Sequence, residues 1–223
     1  MELPPLAMEQ LATLVSSNAP PSHLFEALSL YEHEACLISA GSGCPGIGGS
    51  DPTLLSTFYS SFFLVHLLTD QVPEARALTK RMPGSLIHQD SSLQNCLTLL
   101  RAVWQTQVEQ VYRILRQCPW PEVLQPLVRR YESFYQDKTL ISVSTSYEAI
   151  RLSTAAKYLG LNEQSAEQED PNIIANFTKC GWTWDPETKL LHPKPIVVSP
   201  MDNQSSNGIR GAMKMLGTSG SLS

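Results

Sequence analysis

The residue types that carry most enzyme and cofactor chemistry gather at only two places in this chain of 223 residues. Gly41-Ser42-Gly43-Cys44-Pro45-Gly46 matches G-x-G-x-x-G letter by letter, and Ala35 to Ala40 is apolar enough to stand as a strand before it. That fingerprint holds a pyrophosphate only when a helix starts inside the glycine turn and aims its N–H groups at the phosphates. Pro45, Gly46, Gly48, Gly49 and Pro52 oppose such a helix, and no βαβ pattern surrounds the match, so a plain loop is expected. Glu32-His33-Glu34 with Cys36 nearby is the second place. Zinc needs three or four converging ligands, in spacings such as C-x2-C or H-E-x-x-H, and neither spacing occurs. His23, His66, His88 and His192 have no cysteine close to them in sequence, and no serine sits in a G-x-S-x-G elbow. No enzyme activity, metal or cofactor is expected.

The charge balance narrows the classes further. Sixteen Lys plus Arg stand against 21 Asp plus Glu, a net charge of −5. Proteins that bind duplexes cluster Lys and Arg against phosphate, so nucleic acid is disfavoured as a partner. The longest apolar run, Phe62-Phe63-Leu64-Val65, is stopped by His66, whereas crossing a bilayer takes about 20 apolar residues, so no membrane span is expected. The first residues, Met1-Glu2-Leu3-Pro4-Pro5, lack the basic lead and apolar core of a secretory signal. Five cysteines, odd in number and without C-x-x-C, read as reduced thiols of the cytoplasm or nucleus. The triplets Asn176-Phe177-Thr178 and Asn203-Gln204-Ser205 read as coincidental matches to a glycosylation site.

What positions these residues is a series of helices. Residues 1–50 hold an N-terminal helical segment and the glycine-rich loop, with Leu6, Leu11, Leu14 and Val15 periodic and Leu24, Leu28 and Tyr31 at helical spacing in a second stretch. Residues 51–138 are expected to form stacked helical pairs of the TPR-like or HEAT-like kind. Asp51-Pro52 caps the first of these helices, and Leu55, Phe58, Phe62 and Val65 share one face. Pro73-Glu74-Ala75-Arg76 opens the second, which Met82-Pro83-Gly84 stops. Ser91-Ser92 is read as the cap of a third, carrying Leu93, Cys96, Leu100 and Trp104. Val108, Val111, Tyr112 and Leu115 mark a fourth, and Pro121-Glu122 begins a fifth.

Residues 139–195 change texture. Thr139 to Thr145 fits either a stiff helix or a short strand. Ser153 is read as capping a helix that Gly160 ends, and Asp170-Pro171 as starting another that Gly181 ends. Trp182-Thr183-Trp184, a turn at Asp185 to Thr188, and Lys189-Leu190-Leu191 make a β-hairpin, which completes the order of a winged helix. The acidic run Glu163, Glu167, Glu169 and Asp170 would repel phosphate, which weakens a DNA-binding reading of that winged helix. Trp182, Trp184, Leu190 and Leu191 suit either a protein-contacting edge or closure of the domain's own core. Residues 196–223, rich in Ser, Gly and Asn, are expected to be a disordered tail.

Helical pairs followed by a winged helix resemble the PCI domains of the COP-nine signalosome, the proteasome lid and translation initiation factor three. Leu67 to Pro83, with its acidic turn and Ala75-Arg76-Ala77-Leu78-Thr79-Lys80-Arg81-Met82-Pro83, resembles a stretch of that family. Trp104-Gln105, Val111-Tyr112 and Trp120-Pro121-Glu122 look like its tryptophan landmarks. Ala156-Lys157-Tyr158-Leu159-Gly160-Leu161 and Cys180-Gly181-Trp182-Thr183-Trp184-Asp185 resemble its winged-helix segments. The order and spacing of these pieces, over about residues 50 to 195, look most like the small signalosome subunits, with their lid and initiation-factor counterparts as near alternatives.

The resemblance implies a non-catalytic scaffold in a complex that removes the ubiquitin-like modifier NEDD from the cullins of ubiquitin ligases. The metalloprotease of that complex lies in another subunit. It also implies assembly through the winged helix, edge to edge, with the other signalosome subunits and with subunit three as neighbour. Two features depart from the family pattern. Glu163 to Asp170 looks like an insertion, and the family's C-terminal helix, which joins a shared bundle, is represented only by Ile209, Met213 and Leu216.

Overall fold

The computed structural model describes residues 5–39 and 51–195. The glycine-rich loop and the expected tail, with Ile209, Met213 and Leu216, lie outside the described residues. The chain divides into two compact units, Met1–Tyr131 and Glu132–Ser223. That division falls within a long helix, α8 (Gln125–Ser146), as does the boundary after residue 138 read from the sequence.

The first unit is built around one helix. Helices α1 (Met8–Ser16), α2 (Pro21–Ser39), α3 (Pro52–Leu68), α4 (Val72–Arg81), α5 (Gly84–Gln89), α6 (Ser91–Trp104) and α7 (Val108–Gln117) precede a 3-10 turn at Glu122–Leu124 and the start of α8. Every residue of α3 from Leu55 to Leu68 is buried, because α1, α2, α4, α5, α6 and the 3-10 turn all pack on it. A helix covered on all sides cannot keep a polar face. Its polar residues are therefore small and bond within the helix: the Thr57 hydroxyl donates to the Thr53 carbonyl, and that of Ser61 to Thr57. Phe58, Phe62 and His66 lie along it with ring centroids 5.9 and 4.5 Å apart, and Phe25 of α2 meets both Phe62 and His66.

Longer-range polar contacts fix the outer helices. Arg81 reaches the Glu32 carboxylate at 2.7 Å, and the Arg130 guanidinium donates to the Ser17 and Ala19 carbonyls between α1 and α2. Asp51 caps α3 as expected, its side chain accepting from the Thr53 N–H.

Several details differ from the sequence reading. Asp90, not Ser91-Ser92, caps α6: its carboxylate accepts from the N–H groups of Ser92 and Leu93. Ser92 is instead buried in the first turn. Met82-Pro83-Gly84 stops α4 but at once begins α5, which seats Leu86 in the core. Trp104 ends α6 pointing outward, 52% exposed, rather than joining the packed face. Ala35 to Ser39 is the last turn of α2, so the strand that a dinucleotide fingerprint needs before its glycines is a helix.

The second unit contains the rest of α8, β1 (Ile150–Arg151), α9 (Leu152–Tyr158), α10 (Glu163–Glu167), α11 (Pro171–Lys179), β2 (Thr183–Asp185) and β3 (Leu190–His192). Thr139 to Thr145 is helical, the first of its two readings, with Thr139 and Thr145 returning hydroxyls to the carbonyls of Tyr135 and Ile141. Arg151 occupies the N-cap of α9 with no side-chain bond, so Ser153 lies inside the helix rather than capping it. The acidic run is an ordered part of the unit: Asn162 caps α10, and Ala166 is buried in the unit's core.

Candidate functional site

The hairpin read from sequence is one part of a three-stranded antiparallel sheet of order β1-β3-β2. The third strand has no sequence signature, since two residues, Ile150 and Arg151, give no alternation to read. In register, Leu191 lies between Ile150 and Trp184, and Leu190 between Arg151 and Asp185. Side chains alternate across a strand, so these two rows face opposite ways. Ile150 and Leu191 are buried, with Trp184 packed against the same core. The opposite row is wetter: Arg151 is exposed, Leu190 and Asp185 are half-buried, and Thr183 and His192 beside them are exposed.

This geometry separates the four wing residues. Trp182 and Leu191 are 2% and 0% exposed, and Trp182 stacks on Phe177 at 5.1 Å, so both close the unit's own core. Trp184 and Leu190 are half-buried: Trp184 lies on the outer strand β2 in the core-facing row, and Leu190 on the central strand β3 in the opposite row. Among the described residues β2 pairs only with β3 and β1 only with β3, which leaves an outer edge on each.

The wing is held by local bonds. Asp185 accepts from the Glu187 N–H at 2.9 Å and from the Thr188 hydroxyl at 2.7 Å, and these hold its carboxyl below the usual carboxylate range. Lys189, with φ 55°, places its ammonium on the Glu169 carboxylate. His192 Nδ1 lies 3.3 Å from the Glu148 carbonyl. At the other end, Gly181 (φ 87°) lets the Trp182 N–H reach the Phe177 carbonyl and turns the chain from α11 into β2.

A recognition helix for DNA would need cations on α11. Its exposed residues are Pro171, Asn172, Ala175, Thr178 and Lys179, a single charge. Glu163 and Glu167 are exposed on α10, and Lys189 is already engaged with Glu169. The local field disfavours phosphate.

Groups that could do chemistry are placed apart. Among the described residues no three His, Cys, Asp or Glu side chains gather as a metal would require. Burial pushes the Cys96 thiol up to about 12, against the opposing effect of the Ser60 hydroxyl, and raises Cys180 as well, with Asp137 adding to it. Such thiols stay protonated and unreactive at neutral pH. Cys36 lies 3.9 Å from the Tyr59 hydroxyl, itself pushed up to about 12 by burial and then by Cys36. His33 is exposed on α2, away from any ligand cluster. No helix of the described residues is long and apolar enough to cross a membrane.

Comparison with known proteins gives this surface its context. Residues 53–201 match the family model described as the CSN8/PSMD8/EIF3K family. The chain is 47% identical over 222 residues to COP9 signalosome complex subunit 8 of Emericella nidulans, covering 99% of this chain and 100% of that relative. It is 24% identical over 151 residues to the protein of the same name in Xenopus tropicalis, covering 66% of this chain and 75% of that one. With the Dictyostelium discoideum protein of that name it shares 24% over 143 residues, 64% of this chain and 69% of the relative. The match therefore spans most of both structural units and nearly the whole length of the fungal relative, and the chain belongs to the CSN8/PSMD8/EIF3K family.

Proposed function

We propose that this chain is the eighth subunit of a COP9 signalosome and serves it as a non-catalytic scaffold. The identity of 47% over essentially the full length of a relative so named carries the reading. The separated titratable groups and inert buried thiols support a structural rather than a chemical role. In this reading its partners are the other signalosome subunits, with subunit three beside it. Its link to cullin-based ubiquitin ligases is indirect, through the complex that removes their ubiquitin-like modifier. It works in the cytoplasm and nucleus.

The contact is assigned to the winged helix, at the outer edge of β2, which carries Thr183 and Trp184, and on the sheet face carrying Thr183 and Leu190, with Trp182, Trp184 and Leu191 packed on the core side beneath it. A strand edge offers backbone N–H and C=O groups to a neighbour, and an aromatic beside it supplies buried area. Ile209, Met213 and Leu216 are assigned to a second contact, in which the C-terminal segment joins a helical bundle shared among subunits.

Purification of the tagged chain from cells tests the reading: the other signalosome subunits should co-purify in constant proportion, and recovery as a free monomer would overturn it. Leu190→Asp with Thr183→Asp should reduce that recovery while the circular dichroism spectrum stays native. Trp184→Asp is the harsher variant, since Trp184 also packs on the core. Normal assembly by natively folded edge variants would remove the wing from the interface.

A further inference from the structure

The winged helix leaves unexplained a cluster in the other compact unit. Charge is segregated there along the sequence: residues 1–71 contain seven Asp or Glu and no Lys or Arg, whereas residues 72–131 contain eight Lys or Arg against four Asp or Glu. Three of these cations lie with Trp104 on two packed helices, α4 and α6. The Arg76 guanidinium sits 5.1 Å over the Trp104 ring, and Lys80 follows Arg76 by one turn of α4. Arg101 precedes Trp104 by three residues on α6, which places it on the same helix face. All four are exposed, Trp104 at 52%, and among the described residues no carboxylate pairs with Arg76, Lys80 or Arg101.

The presentation is fixed rather than loose. Trp104 is the last residue of α6, held by a turn in which the Thr106 N–H bonds to the Val103 carbonyl and the Gln107 N–H to that of Ala102. An indole with the Arg76 guanidinium over its ring, and Arg101 three residues before it on its own helix, combines the residue types that dominate interface energies. Among the described residues no ion pair supplies a complement to this cluster. Residues 1–4, 40–50 and 196–223 bring only Glu2 and Asp202 as carboxylates.

We propose that Arg76, Lys80, Arg101 and Trp104 form a docking site for an acidic segment of a partner protein, with carboxylates on the three cations and an apolar side chain of that segment on the exposed indole face. A protein segment fits better than nucleic acid because the site has three cations and one aromatic platform in a chain of net charge −5.

Titration of the full chain with a twelve-residue peptide of Asp and Glu interrupted by two Leu tests this. A peptide with the same Leu positions and Gln in place of the acids, and a short DNA duplex, are the controls. Saturable binding of the acidic peptide is expected, weakening several-fold between low and physiological salt. Lys80→Glu with Arg101→Glu should weaken it by about tenfold or more, the size expected when like charge replaces complementary charge. Trp104→Ala should weaken it by about threefold or more, as loss of an aromatic anchor does. Arg101→Lys, which keeps the charge, should retain most of the affinity. These positions are exposed, so stability should change little, and thermal melts verify it. The proposal is overturned by no saturable binding, equal binding of the Gln peptide, tighter binding of the duplex, unchanged affinity in the variants, or a self-associated chain in which Trp104 is covered by a second copy.

Discussion

The two compact units solve the problem of burial in different ways. In the first, α3 is packed on every side, and its core is dense in large rings: Phe58, Tyr59, Phe62 and Phe63 are all essentially inaccessible. In the second, the core around Phe177 and Trp182 is filled out by Ala155, Ala156 and Ala166, and its strands are two or three residues long. Short strands and small side chains supply little packing energy, so the second unit leans on its turns. Asn162, Asp170 and Asp185 each accept backbone N–H groups, and Gly160 and Gly181 take left-handed conformations at helix ends. One unit is held mainly by volume, the other to a greater degree by backbone geometry.

Core truncation is the largest expected effect. Phe62→Ala in α3 should cost about 3–5 kcal/mol, because the surrounding helices cannot collapse into the space. Leu191→Ala on β3 should cost less, about 2–3 kcal/mol, since the two- and three-residue strands around it relax more readily than the packed helices around Phe62. Urea denaturation of both variants measures the gap; an equal loss at the two sites would erase the contrast in packing.

The next effect is a pH dependence confined to the first unit. His66 is buried at the end of α3, against the rings of Phe62 and Phe25, with Nε2 lacking a partner among the described residues. Burial holds its pKa below the ordinary value, helped by Arg81 and opposed by the Gln71 side chain, Glu32 and Glu74. The folded chain therefore keeps the ring neutral where the unfolded chain takes up a proton. Stability from this group is fully present above the ordinary value near 6.5 and is lost as pH falls from there toward the lowered folded value. The urea midpoint of the natural protein should drop between pH 7.5 and 5.5, a range in which ordinary carboxylates barely titrate. His66→Gln should flatten that drop, and an undiminished drop in the variant would assign the acid sensitivity elsewhere.

How much of this was legible in sequence follows the same division. Helices declared by periodicity and punctuation, such as Asp51-Pro52 before α3 and the stripe of Val111, Tyr112 and Leu115 in α7, stand where the pattern puts them. Tertiary partners were not legible: nothing local says that α3 is covered all round, or that Trp104 faces out beside Arg76. The cap of α6 is ambiguous in sequence because Asp90 and Ser91-Ser92 are all good N-cap types, and only the geometry selects the Asp90 carboxylate. At the wing, the hairpin was readable from its turn, but β1 was not, since a two-residue strand has no period. Composition could name Trp182, Trp184, Leu190 and Leu191 as a group; only the register separates Leu191 beneath the sheet from Leu190 on the opposite face.

The smallest effect concerns the turns themselves, and it has opposite signs in the two units. Helices α6 and α11 end in the same pair of bonds, one N–H reaching back three residues and the next reaching back five. The residue between helix and exit is left-handed in both: Thr106 at φ 54° in the first unit and Gly181 at φ 87° in the second. A β-branched residue pays about 1–2 kcal/mol for that conformation, whereas glycine adopts it freely but loses more chain entropy on folding, about 0.5–1 kcal/mol. Thr106→Gly should therefore stabilise the chain by a net of about 0.5–1 kcal/mol, the hydroxyl bond to Gln105 on the surface counting for little. Gly181→Ala should destabilise it by about 1 kcal/mol; open space surrounds the position, so any loss comes from the backbone alone. If both substitutions shift the urea midpoint in the same direction, left-handed strain is not what distinguishes the two turns.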